Sequence, residues 1–426
     1  MSNPATQTSQ TNWTGVSYGI VLGFVAAYFQ FKVPPVLPVM FDLYAYEKFV
    51  GGGLMSIFAA SGMLISVRVG RGIRRDGAQR YLMAAFVLML GGTALGLAFS
   101  ENGTLMLASR AIEGLGAAVL AVCMPAFSNM SASPKHLPIV IAAQATWIPV
   151  GQLVANLVAQ PSVAADFWQP VWWFGAAATV AIALWTFWIV RRGSVAGVAH
   201  VHAAPETFAG TDGAAPSKPA DNPLTRRETR ALWLAATLFF LWQAQFTGYF
   251  SWFNVYLVEV FAYEADTAVA VNQIPVVVLL IFALVGGVIL KTGLGVIRLL
   301  TIALGLQTLG WVLIPFADNS LAIGLTSLVV WGVAAGLTPT SLWALPSTLL
   351  GGHRAGTDAF AVVLTGRYLG IIAGPLIASG VFFLTGSWDT APIVFAGIAV
   401  ATILGTWLFG VQLSRLRAEA AHTDPS

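Results

Sequence analysis

Residues 267–290 read TAVAVNQIPVVVLLIFALVGGVIL, an unbroken stretch of 24 positions without Asp, Glu, Lys or Arg, closed by Asp266 on one side and Lys291 on the other. As a helix rising about 1.5 Å per residue this block is about 36 Å long, enough to cross the roughly 30 Å hydrocarbon layer of a bilayer. Similar blocks recur on both sides of it. The spans predicted are Trp13 to Met40, Gly51 to Gly70, Tyr81 to Phe99, Thr104 to Met130, His136 to Gln160 and Pro170 to Val190, then Ala231 to Val258, Thr267 to Leu290, Val296 to Phe316, Leu321 to Ser347, Thr357 to Leu384 and Thr390 to Leu413. Hydrophobic residues make up 57% of the chain and charged residues 9%, a balance that no water-soluble core of this size uses. The expectation is an all-α integral membrane protein.

The charges between blocks alternate. Arg71, Arg74, Arg75 and Arg80 follow the second span, Lys135 follows the fourth, and Arg191, Arg192, Lys218, Arg226, Arg227 and Arg230 crowd the middle of the chain. Lys291, Arg298, Arg354, Arg415 and Arg417 continue the series. The opposite loops hold Asp42, Glu47, Glu101, Asp166, Glu259, Glu264, Asp266, Asp318 and Asp389, with Lys48 as their cation. The positive-inside bias then predicts both termini in the cytoplasm, in a cell membrane of the bacterial inner-membrane type. It also accounts for the net charge of +3 without a nucleic-acid partner. Cys123, the single cysteine, falls inside an apolar block and is expected as a small buried hydrophobe.

Between Arg191 and Arg230 the chain turns to Ala, Gly, Pro, Ser and Thr, a linker composition. The predicted organisation is a tail over 1–12, a six-helix bundle over 13–190, a cytoplasmic linker over 191–230, a second six-helix bundle over 231–413 and a tail over 414–426. At an offset near 216, Gly70 and Gly77 align with Gly286 and Gly293, each pair flanking a short basic loop after the second span of its half. Twelve helices in two pseudo-symmetric bundles around a midplane site are thereby expected.

Charge inside the spans needs a reason, because a cation at bilayer depth costs about 2.5–3.5 kcal/mol on insertion scales. Lys32, Arg110 and Arg367 stand there. Arg367 lies about 18 Å in, counted from Ala355. Glu113 is the intramembrane acid, three residues after Arg110 and on the same helix face. That pair either steadies the bundle or titrates, in which case Glu113 with Arg110 is the proton-coupling site. Lys32 either snorkels outward, its helix ended early by Pro34, Pro35 and Pro38, or binds substrate. Arg367 is either a structural salt bridge or the ligand for a small anion, which a guanidinium grips in bidentate fashion. Gly366, Gly370, Gly374 and Pro375 beside it allow tight packing, a kink or access to backbone.

Two polar stripes follow helical spacing: Trp242, Gln245, Tyr249, Trp252 and Tyr256 in the seventh span, and Gln144, Gln152, Asn156 and Gln160 in the fifth. Each either glues helices together or lines a water-filled route. Asn272, Gln273, Pro275, Pro339 and Pro346 mark points where helices can flex. The histidines lie at edges, in the linker or in the tail, and none is placed for coupling.

The segment Gly70-Arg71-Gly72-Ile73-Arg74-Arg75-Asp76-Gly77 resembles the loop motif of the major facilitator superfamily, G-x-L-a-D-R-x-G-r-r, with Arg74 where an Asp is usual. Arg110-Ala111-Ile112-Glu113-Gly114-Leu115-Gly116-Ala117-Ala118 is similar to that family's R-x-x-q-G-x-g-a-a signature in span 4. The Arg74-Arg75 pair also resembles the cyanate and nitroimidazole permease branch. The resemblance implies the major facilitator fold, secondary transport by alternating access, and a central passage lined by spans 1, 4, 7 and 10. It makes Gly70, Arg74, Arg75 and Gly77 a conformational loop motif. The seventh-span stripe then faces the cavity, with Trp331, Thr338, Thr340, Ser341 and Trp343 opposite. Substrate contacts are expected at Arg367, Lys32, Trp242, Gln245, Tyr249, Trp252, Trp331 and Trp343.

The function expected is a proton-coupled symporter or antiporter, monomeric and without cofactor or metal, whose partners are a small anionic or electronegative solute, protons and the lipid bilayer. A drug and proton antiporter for lipophilic compounds is the alternative. A membrane enzyme on lipid-linked substrates is disfavoured because no nucleophile triad, metal cluster or catalytic loop is legible. No phosphate-binding loop for ATP is present.

Overall fold

The computed structural model describes residues 10–195, 224–351 and 357–423. Most of the expected linker, with Lys218, His200 and His202, lies outside the described residues, as do His353, Arg354 and the side chains of Arg74, Lys291, Arg417 and His422. The described residues form helices without strands: α1 (Trp13–Phe31), a 3-10 turn (Pro34–Val36), α2 (Leu37–Tyr44), α3 (Lys48–Asp76), α4 (Ala78–Ala98), α5 (Gly103–Met130), α6 (Leu137–Ala145), α7 (Trp147–Val163) and α8 (Gln169–Arg192). Then come α9 (Arg226–Glu259), α10 (Ala265–Lys291), α11 (Val296–Leu313) with a 3-10 extension (Ile314–Asn319), α12 (Leu321–Leu350), α13 (Thr357–Thr385) and α14 (Ala391–Thr423).

The helix starts are written locally. Asn12 caps α1, Asn102 accepts from the first amides of α5, Ser320 caps α12, and Thr225 with Glu228 forms a reciprocal capping box on α9. Two predicted spans are broken: the prolines divide the first into α1 and α2, and the fifth bends by 45° between Ile139–Ala145 and Trp147–Val163.

Ten helices are long and apolar enough to cross a bilayer, and the bent pair makes an eleventh. The seventh predicted span, α9, has 34 residues but is not among them. Its Gln, Asn, Ser and Thr lower its hydropathy, and the fold compensates: every residue from Trp242 to Leu257 is buried. Lipid-type residues show the opposite behaviour. Leu321, Phe383 and Leu384 are 78%, 82% and 83% exposed, as expected where the surrounding solvent is hydrocarbon.

Contacts divide the chain into two compact units. The first reaches to Tyr46 and resumes from Ile57 through α8; the second takes Glu47–Ser56 and α9 to α14. Equivalent helices pair in both. As α4 packs on α5, α11 packs on α12; as α1 touches α5 and α7, α9 touches α12 and α13; as α8 meets α4 and α1, α14 meets α11 and α9. The glycine match extends to backbone conformation, because Gly77 and Gly293 both take positive φ, +85° and +89°, which only glycine adopts readily.

Several boundaries differ from expectation: α9 starts at Arg226, inside the predicted linker, and α14 runs past Leu413 to Thr423, into the predicted tail. The basic loop after the second span is helical to Asp76, so that Gly70, Arg74 and Arg75 belong to α3 and Gly77 alone joins α3 to α4. Charged residues end an apolar block without ending a helix.

In the second unit α13 lies along α9 through Gly366, Gly370 and Gly374. A Cβ on Gly370 would fall 2.6 Å from the Phe240 carbonyl oxygen and 3.0 Å from the Ala244 nitrogen. Tight packing is thus the use of these glycines. Gly370→Val is expected to destabilise the protein by about 1–3 kcal/mol through overpacking, read as a lowered midpoint in thermal unfolding of the purified protein. Gly380→Ala, which meets open space within a helix, should not lower that midpoint.

Candidate functional site

The first unit contains a sealed cluster of charge. Pro34 and Pro35 lack the amides that would continue α1, so the helix stops at Phe31 and Lys32 becomes its C-cap. The Lys32 Nζ donates to Glu113 Oε1 at 2.7 Å, and Thr93 Oγ1 donates to the same oxygen at 2.8 Å. From the turn of α5 preceding Glu113, Arg110 Nη1 donates to Oε2 at 2.5 Å and Nη2 to the Phe29 carbonyl oxygen at 2.8 Å. Aromatic faces complete the enclosure: Lys32 Nζ lies 4.4 Å and 4.2 Å from the ring centres of Phe29 and Trp172, and Arg110 Cζ lies 4.4 Å from that of Phe58. Lys32, Arg110 and Glu113 are each 0% exposed.

Lys32 therefore does not snorkel outward. The prolines that were expected to bring it toward the headgroups instead end α1 where its side chain reaches Glu113. The pair Arg110–Glu113 is present as predicted, but it has become a triad in which two cations share one carboxylate.

Thr93, Trp172 and the two phenylalanines were not singled out from sequence. A usable signal was Gly92 and Gly96, four residues apart in the third span and flanking Thr93. A Cβ on Gly92 would lie 2.7 Å from Glu113 Cγ, and one on Gly96 2.7 Å from Ser109 Oγ and 3.1 Å from Trp172 Nε1. The missing side chains let α4 and α5 close over the carboxylate. Ser109 Oγ and Trp172 Nε1 are buried without a hydrogen-bond partner.

In the second unit the seventh-span stripe lies within the bundle. Gln245 Nε2 donates to Leu241 O at 3.2 Å and Thr402 Oγ1 at 3.4 Å, while its Oε1 accepts from Trp311 Nε1 at 3.1 Å. Trp252 Nε1 donates to Pro375 O at 2.9 Å. Tyr249 stacks on Trp331 at 3.7 Å and on Phe253 at 4.4 Å, and Trp311 stacks on Phe395 at 4.8 Å. The cavity among these rings is about 30 Å³, room for a water rather than a solute. Gln245 and Trp252 thus spend their polar groups on neighbouring helices, whereas Tyr249 Oη, Trp242 Nε1, Trp331 Nε1 and both amide atoms of Asn254 are buried without partners.

Arg367 has no ion pair or hydrogen bond among the described residues; its Cζ lies 5.6 Å from the centre of the Tyr368 ring. The expected salt-bridge alternative is not found there. Nor does Arg367 join the whole aromatic set. The adjacent Gly366 packs on Ala236, and Tyr249 is thirteen residues further along α9, about 20 Å away along the axis. Phe239, one turn from Ala236, carries Trp242 at 5.9 Å and Trp343 at 5.1 Å, so these two lie nearer the Arg367 level than Gln245, Tyr249, Trp252 and Trp331 do. The fifth-span stripe divides similarly: Gln144 donates to Ser128 Oγ and Asn129 Oδ1, whereas Gln152 Oε1 and Asn156 Nδ2 are buried without partners.

A helical, multi-pass membrane protein with charge sealed between its helices is the class these observations define. The chain matches the family model of the Major Facilitator Superfamily over residues 19–375, and it belongs to that superfamily. Among solved structures it is similar to the nucleoside transporter NupG, in a point-mutant form at 15% identity and a TM-score of 0.74, covering 93% of this chain and 99% of that one, and in a second structure at 14% and 0.71, covering 93% and 98%. It is also similar to the human organic anion transporter MFSD10 (TETRAN), at 17% identity and a TM-score of 0.65, covering 93% of this chain and all of that one. No curated protein sequence matches significantly.

Removing the shared carboxylate should be far worse than removing one of its donors. Glu113→Ala leaves two buried cations uncompensated and is expected to cost about 3–5 kcal/mol of stability. Thr93→Val removes a single hydrogen bond to a charged acceptor, about 1.5–3 kcal/mol. Denaturant or thermal unfolding of the two variants measures the ranking.

Proposed function

We propose that this protein is a secondary active transporter that works by alternating access, couples flux to protons at the Lys32–Glu113–Arg110 cluster, and carries a small anionic or electronegative solute recognised by Arg367. Its orientation in this reading is that of a monomer in a bacterial inner membrane with both termini cytoplasmic. The observation that carries the solute class is the guanidinium of Arg367, set in a membrane-spanning helix with no acid in ion-pair contact among the described residues. Such a group needs an anion for part of its working cycle. Organic anion transport by the structurally similar MFSD10 is compatible with this reading, whereas the similar NupG is a transporter of nucleosides.

Aromatic stacking favours a second reading, export of lipophilic compounds. The rings around Tyr249 and Trp331, with their unpartnered polar atoms, form a surface of the kind a planar apolar guest would share once the helices part. Kinship with cyanate and nitroimidazole permeases rests on the Arg74-Arg75 pair and would place the solute among the electronegative class.

A thermal-shift screen of the purified protein against small inorganic and organic anions and against lipophilic cations and neutral aromatics separates the readings, since a ligand of the native state raises apparent stability by mass action. Anions are expected to stabilise the wild type, and Arg367→Ala to lose that shift while keeping its unliganded midpoint. Stabilisation by neutral aromatics alone, unchanged in Arg367→Ala, would transfer the assignment to the second reading.

A further inference from the structure

We infer that Lys32, rather than Glu113, carries the exchangeable proton of the buried cluster. This deepens the proton-coupling reading of the same site and rests on it for its role in transport, though not for its chemistry.

The protonation states can be compared by charge alone. With all three groups ionised, two cations face one carboxylate and the enclosure holds a net charge of +1. Adding a proton to Glu113 would raise this to +2, with a neutral acid between an ammonium and a guanidinium that repel one another in a medium of low dielectric constant. Releasing a proton from Lys32 brings the enclosure to zero. Arg110 cannot be the donor, because a guanidinium keeps its proton in proteins, whereas a lysine amine gives its proton up when its surroundings demand it.

Geometry favours the same group. The neutral amine keeps an N–H with which to donate to Glu113 Oε1, so the hydrogen bond seen at 2.7 Å survives while Arg110 and Glu113 remain as a balanced pair. Protonating Glu113 instead would place a hydrogen on an oxygen that already accepts from Lys32 and Thr93, or on the one that accepts from Arg110. In the step proposed, the Nζ–H bond of the ammonium breaks, its electron pair stays on nitrogen, and the proton passes to water on whichever side the site opens toward.

The groups facing Lys32 are few. Among the described residues they are Glu113 and Arg110 on α5, the neutral Thr93 on α4, Phe29 on α1 itself and Trp172 on α8, while Tyr28 of α1 gives its hydroxyl to Val171 O at 2.6 Å. The position of Lys32 at the break between α1 and the 3-10 turn adds a mechanical consequence. Loss of the ammonium removes its attraction to the Trp172 ring and weakens the tie from α1 to α8, while the Arg110 link to Phe29 O is retained.

The test uses the full-length protein in lipid bilayers with its lysines labelled at the side-chain nitrogen. Only five signals are expected, from Lys32, Lys48, Lys135, Lys218 and Lys291. One of them, absent in Lys32→Arg and displaced in Trp172→Phe, should convert from ammonium to amine as the pH is raised, while the Glu113 carboxyl carbon stays that of a carboxylate. In hydrogen–deuterium exchange over α1 and α8, Lys32→Met should resemble the alkaline wild type and Lys32→Arg the acidic one. A Lys32 signal that remains ammonium throughout, or a Glu113 carbon that protonates first, overturns the inference. If Lys32→Arg fails to fold, the wild-type titration assigned through Trp172→Phe decides alone. Should Lys32 titrate while a proton gradient drives no anion flux in wild-type proteoliposomes, the lysine assignment stands and the coupling reading falls.

Discussion

One carboxylate shared by two cations holds the first half of this protein together. Glu113 draws in Lys32 from the end of α1, Thr93 from α4 and Arg110 from its own helix, and Arg110 in turn fixes the last carbonyl turn of α1 through Phe29. Several features of the surrounding sequence make sense only around that oxygen pair. Gly92 and Gly96 thin α4 so that it can close over the acid, Trp172 covers the ammonium, and the proline pair ends α1 at the right residue. In hydrocarbon such charges have no solvent to fall back on, so the network must be nearly complete or absent.

The second half solves the same problem by different means. Equivalent helices pair in both units, yet α9, the counterpart of α1, carries no ion pair comparable to that of Lys32 in its buried stretch. It binds its neighbours through stacked rings, through Gln245, and through a glycine seam with α13. Pseudo-symmetry of backbone thus coexists with asymmetry of chemistry: a hard electrostatic knot in one unit, a softer aromatic and amide contact in the other. Soft contacts of this type re-pack at lower cost than buried ion pairs, whose separation leaves a charge uncompensated.

Much of the fold was legible because the bilayer imposes a length and a polarity rule on every span. The block at 267–290 and its kin marked helices within a few residues, and Gly77 and Gly293 announced the repeat. Helix ends on the basic side were less legible, since α3 runs past Gly70 to Asp76: Arg and Asp stop a hydrophobic pattern while remaining acceptable helix formers. At the site, Arg110 and Glu113 could be paired because they share one helix face, a local relation. Lys32 could not, because its partner lies 81 positions away and only tertiary packing brings the two together. The expected substrate set is spread along the bundle for a related reason. Arg367 and Tyr249 share an expected cavity in the family pattern, but they lie about 20 Å apart along the helix axis, a relation between different spans that spacing within one span does not carry.

The polarity of α9 has an implication for biogenesis. A helix with Gln243, Gln245, Ser251 and Asn254 buried along its length gains little from leaving the insertion machinery for lipid, and its partners α10, α12, α13 and α14 are all synthesised after it. The ribosome therefore delivers α9 before anything exists to shelter it, so the C-terminal half must assemble late and together, with α9 retained in a protected setting until the final hairpins arrive.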